Sequence, residues 1–183
     1  MIKHKTISLL IPLILLFVST NLAAQTREHL TTQEIDLVKD AQLLDKRTDV
    51  FIKAIERRLL AINGGSNEAS AKQLKKDAEK WGELPAGSRG ELIGDIARIF
   101  DEAITNIDDV SARDERNPLI PKALRRLVQA VNNVQSQLAP LKDQMKSEAD
   151  IASFELLNED AQSILEAAKK LPPETEKKAK NKP

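Results

Sequence analysis

The stretch "IPKALRRLVQAVNNVQSQLAPLKDQM", residues 120–145, decides the fold. Within it Ile120, Leu124, Leu127, Val131, Val134, Leu138, Leu141 and Met145 recur in strict steps of four and three residues. That spacing puts all eight on one face of an α-helix, and such a helix gains most of its stability by burying that face. Pro140 falls inside the pattern. Proline lacks a backbone donor and crowds the preceding turn, so a kink or restart is expected near Ala139. Asn117 is the expected cap, with Pro118 or Pro121 in the first turn, where a missing N–H costs nothing.

The same periodicity runs through the rest of the chain. "LTTQEIDLVKDAQLLDKRTDVFIKAIERRLLAINGG", residues 30–65, opens with Thr31 as N-cap, Glu34 closing a capping box and Leu30 facing Ile35 as a hydrophobic staple. It stops at Asn63, Gly64 and Gly65. Leu37, Ala41, Leu44, Thr48, Phe51, Ile55 and Ile62 form one stripe between these ends, widened by Val38, Ile52 and Leu59. One helix of about 30 residues, about 45 Å long, is expected there.

After the linker "NGGSNEAS", the segment "AKQLKKDAEKW" predicts a shorter, more polar helix with Leu74, Ala78 and Trp81 inward, ended by Gly82 and Pro85. Ser88 and Glu91 make a second capping box ahead of Leu92, Ile93, Ile96, Ile99, Phe100, Ala103, Ile104, Ile107 and Val110. "SARDERNP" breaks the chain before the opening stretch. A last helix, about Ser147 to Leu171, carries Phe154, Leu157, Ala161, Ile164, Ala168 and Leu171.

Stripes of this kind most simply bury one another. The expected fold is therefore all-α, an antiparallel bundle of four to five amphipathic helices over residues 25–171. The alternative use of the 120–145 stripe is a coiled-coil seam for a second chain.

Residues 1–24, "MIKHKTISLLIPLILLFVSTNLAA", read as a cleaved signal peptide: Lys3 and Lys5, then an apolar run from Ile7 to Val18, then Ala23 and Ala24. Residues 172–183, lysine-rich with nothing apolar to bury, are expected to be a disordered tail. Removing 24 of the 183 residues leaves 159, the size of one domain. It also takes two lysines and no acid, so 26 basic residues face 28 acidic ones. Near-neutrality argues against nucleic acid as a partner. The localisation that follows is export, periplasmic or secreted, with no stable membrane insertion once the leader is cut.

The chain has no cysteine, which closes off thiol catalysis, disulfides, iron–sulfur ligation and the usual structural zinc sites. Only His4 and His29 are present, His4 leaves with the leader, and His29 ahead of the first cap reads as an exposed bystander. A Glu-x-x-His pair for metals and a bis-histidine haem site are thereby excluded. "AGSRG", residues 86–90, falls one substitution short of the G-x-S-x-G elbow and lacks the strand and histidine that motif needs. The acidic pairs Asp101–Glu102, Asp108–Asp109 and Glu159–Asp160 diverge by about 100° on a helix and read as a solvated face rather than a chelate. No catalytic, cofactor-binding or metal-binding residue is assigned.

The best candidate site lies in the opening stretch. From Leu127 through Leu141 no residue is charged, in a chain that is 31% charged. Its polar positions are Gln129, Asn132, Asn133, Gln135, Ser136 and Gln137. Avoidance of charge is expected of a helix surrounded on most sides, because an unpaired buried ion costs far more than a paired amide. The other reading is that these six side chains form a docking face for a partner. The function expected is a non-enzymatic binding or scaffolding module in the cell envelope with a protein partner there. The single chain is favoured over a homo-oligomer, and the alternative activity is a carrier of a small apolar ligand inside the bundle.

Overall fold

The structure, a computed structural model, describes residues 28–64 and 76–172. The leader 1–24, Leu74 and all but the first residue of the expected tail lie outside them. The described residues are all-helical, with no strand. In chain order they form α1 (Thr32–Asp40), α2 (Leu44–Ile62), a short helical stretch over 76–81, α3 (Arg89–Arg113), α4 (Leu119–Leu138), a 3-10 segment (Ala139–Gln144) and α5 (Glu148–Lys169).

The starts of α1, α3 and α5 lie where local chemistry dictates. Thr31 N–H donates to Glu34 Oε2 at 2.9 Å and Glu34 N–H to Thr31 Oγ1 at 3.3 Å. Ser88 and Glu91 exchange the equivalent bonds at 2.7 and 3.3 Å. Ser147 Oγ accepts from the backbone of Asp150 ahead of α5. At the head of α4 the capping position itself is Pro118, while Asn117 Oδ1 accepts from Leu119 N–H at 3.0 Å. Where a kink or restart is expected near Ala139, α4 ends at Leu138 and the chain tightens into the 3-10 segment from Ala139, with Pro140 in its first turn.

Two expectations fail. The single long helix over residues 30–62 is broken: α1 ends at Asp40 and α2 begins at Leu44, with Leu43 extended (φ −90°, ψ 138°). The break allows α1 to fold back along α2, bringing Glu34 onto Arg57 and Arg58; in one straight helix they would lie about 35 Å apart. Ala78, expected inward, is exposed, whereas Trp81 is buried.

α3 is the hub, packing on α2, α4 and α5, while α4 also meets α2 and α5. Phe51, Ile55, Ile93, Ile96, Ile99, Phe100, Leu127, Val131 and Leu138 are buried in one shared core. Every member of the 120–145 stripe belongs to it, Ile120, Leu141 and Met145 at its margin.

α3 and α5 approach each other closely at Gly90 and Gly94. A Cβ at Gly90 would lie 2.2 Å from Asp150 Oδ1 and 3.2 Å from its Cα, whereas one at Gly94 would meet only the Ser153 side chain, at 3.2 Å. Gly90→Ala should therefore destabilise by about 1 kcal/mol or more, overpacking outweighing the helix propensity alanine brings. Gly94→Ala should be neutral or stabilising. Urea unfolding of both variants checks this, and equal effects would contradict the packing assigned to α5.

Candidate functional site

The six amide and hydroxyl residues do not surround α4 with protein. Gln129, Asn132, Asn133 and Ser136 are exposed and Gln135 and Gln137 half-buried, so the expectation that charge is avoided because this helix is enclosed is overturned. α4 buries one face only, and α3, the helix with the most buried residues, carries charge along its length, Arg98 and Asp101 exposed among it.

The six are also not one cluster. Gln129 and Asn133 face α2, where they line a groove of about 370 Å³ together with Asp49, Ile52, Ile55, Glu56, Arg126 and Ala130. Gln137 Nε2 donates to Asn133 Oδ1 at 3.0 Å, and Asn63 Nδ2 donates to Gln137 Oε1 at 2.9 Å, so an amide chain links the end of α2 to α4. Asn132, Gln135 and Ser136 are not among the residues that line this groove.

Ion pairs bridge the groove's walls toward its other end. Arg126 pairs with Asp49, and Lys122 Nζ lies 2.5 Å from Asp45 Oδ2. The hydrogen bond from Lys122 is the main influence holding the Asp45 carboxyl below its ordinary range. A depressed carboxyl contributes stability above its unfolded value that is lost as pH falls through the folded one.

A second constellation was not anticipated. Glu34, Arg57, Arg58 and Asp95 are all buried. Glu34 Oε1 accepts from Arg57 Nε at 3.0 Å and from Arg58 Nη1 at 2.7 Å. Arg57 Nη2 donates to the carbonyls of Trp81 and Glu83 at 3.0 and 2.5 Å, and its guanidinium lies 5.9 Å from the Trp81 ring centre. Arg58 Nη2 donates to His29 O at 2.6 Å, and its Nε is 4.0 Å from Asp95 Oδ2. An open cleft of about 270 Å³ reaches this cluster, with Arg58, Asp95, Leu30 and Pro85 in its wall.

Chemically the cluster is a clasp. Two guanidinium groups, with carboxylates and backbone carbonyls as partners, tie α1, α2, α3 and the 81–83 backbone together. The sequence did carry a signal for it. In the four-three stripe of α2 the position between Ile55 and Ile62 is Arg58, a charge on an apolar face, and Asp95 sits likewise between Leu92 and Ile99.

His29 is no exposed bystander: its Nε2 lies 2.8 Å from Glu102 Oε2. Nor is Asp160 part of a solvated face. Its Oδ2 is buried without a hydrogen-bond partner, and burial, reinforced by Asp101 and Glu159, pushes its carboxyl from 3.8 up to about 6. A raised carboxyl contributes stability below pH 4 that is lost as pH rises toward 6. Asp160→Asn should thus be more stable than the parent above pH 6, by on the order of 1 kcal/mol after allowing for partial exposure, and the gap should close near pH 4. Thermal unfolding across that range reads it, and a pH-independent difference would rule it out. Among the described residues no group of three or more His, Asp or Glu is placed to hold a metal ion, and no described helix is long and apolar enough to cross a membrane.

No protein-family model, curated protein or solved structure matches the chain.

Proposed function

We propose that the chain is an exported, non-enzymatic antiparallel bundle of helices that serves the cell envelope as a binding or scaffolding module, with the charge-free face of α4 as its docking surface. The observation that carries this reading is the exposure of that face. A surface otherwise dense in lysine, arginine, aspartate and glutamate carries a band, Gln129, Asn132, Asn133 and Ser136, with no charge although water reaches it. Charge costs nothing to keep on a solvated helix face and helps solubility, so its absence from these four exposed positions favours a surface that is covered in use. Amides donate and accept at once, which suits a neutral, hydrogen-bonding protein surface rather than an ionic one.

The leader supports export, and the packing of α2, α3, α4 and α5 around one core supports the bundle. The test is crosslinking and recovery from the native envelope with three proteins: the mature chain, a version ending at Leu171, and Asn132→Glu with Ser136→Glu. A stoichiometric partner kept by the shortened chain and lost by the charged variant is expected. Equal capture by all three would remove α4 as the docking surface.

A further inference from the structure

The break between α1 and α2 sits in a sequence that would make a continuous helix. Ala41, Gln42 and Leu43 include neither glycine nor proline, and Leu37, Ala41, Leu44, Thr48 and Phe51 keep their four-three steps straight across it. Ala41 already has a helical φ of −78°, while its ψ of 86° and that of Leu43, 138°, depart from helix. Leu43 is left 57% exposed. Local preference and observed geometry therefore conflict at these three residues.

What holds the bend is distant. Within α1 the buried residue is Glu34, through its bonds to Arg57 and Arg58. Elsewhere α1 packs loosely, leaving an open cleft of about 430 Å³ edged by Leu37, Ala41, Val50 and Trp81. If residues 32–62 straightened, Glu34 would move about 35 Å from the arginines of its own chain and could not reach them. Arg57 and Arg58 would lose the carboxylate they share, which disfavours the straight form as a lone molecule. A second copy in the same state carries the missing carboxylate, and two chains can each supply the other's.

We propose that α1 exchanges between two copies of this chain, Glu34 of each closing on Arg57 and Arg58 of the other while Ala41–Leu43 joins α1 and α2 into one helix. Every clasp contact of the monomer is remade in the dimer and three residues at each hinge become helical, so the exchange costs little beyond association.

Refolding of residues 25–183 from denaturant, once dilute and once concentrated, followed by size-exclusion chromatography with light scattering, tests it. A dimer that appears only on concentrated refolding and persists after dilution is expected. Leu43→Pro suits the extended residue that ends the bend but not a helix interior, and should cut the dimer yield at least about tenfold. Should that variant fail to fold, a four-residue Gly-Ser insertion after Gln42 relaxes the hinge and should have the same effect. Glu34→Ala mixed with Arg57→Ala should give a heterodimer with one intact clasp. A chain that stays monomeric on concentrated refolding, or a dimer whose yield neither hinge variant changes, would overturn the proposal.

Discussion

Glu34→Ala is expected to lower the unfolding free energy by about 3 to 5 kcal/mol, the usual loss when one partner of a buried ion pair is removed. The size follows from what remains. Arg57 and Arg58 stay in the interior, and the carboxylate to which both donate is gone. The same substitution deletes half of the capping box, since Glu34 Oε2 accepts from Thr31 N–H. For a domain of this size the loss corresponds to a fall in Tm of roughly 10 °C. Glu166→Ala, which breaks only the exposed pair with Lys169, should change stability by no more than about 0.5 kcal/mol. Replacing Glu34, Arg57 and Arg58 together with apolar residues of similar volume should recover most of the loss, because the desolvation cost of three charges is removed with them. Urea denaturation of the three proteins decides it: a Glu34→Ala loss below about 1 kcal/mol would mean that α1 is held by something other than the clasp.

The clasp also explains where sequence reasoning succeeded and where it stopped. Features closed within one turn of chain were legible: both capping boxes, the glycine stop at Gly64, the tightening at Pro140 and the apolar stripes of α3, α4 and α5. Each rests on contacts three or four residues apart. The bend at Ala41–Leu43 was not legible, because its cause lies more than twenty residues away in the pairing of Glu34 with Arg57 and Arg58. Arg58 in the apolar stripe was the available hint, since a charge on a core face needs a buried partner. Gly90 carried no such hint: only the folded approach of Asp150 shows why a side chain would not fit there. The charge-free run in α4 was legible as a feature but not in meaning, since exclusion from water and coverage by a partner leave the same mark on composition.

That ambiguity gives the second large effect. Val131→Asp and Asn132→Asp introduce the same charge one residue apart on α4, and their consequences should differ by several kcal/mol. Val131 is fully buried in the shared core beside Leu127 and Val134, so an aspartate there must either lose its hydration or pull α4 from the core. The loss should exceed about 4 kcal/mol, a large share of the 5 to 15 kcal/mol typical of a domain. Asn132 is exposed, and its variant should stay within about 0.5 kcal/mol of the parent. Urea midpoints of the two variants test the reason for the missing charge as well as the packing. If Asn132→Asp destabilises as Val131→Asp does, the uncharged run is a requirement of folding and the docking surface loses its warrant. If stability is kept, folding does not require the run to be uncharged, and a contact made outside the chain remains as the cause that the recovery experiment can reach.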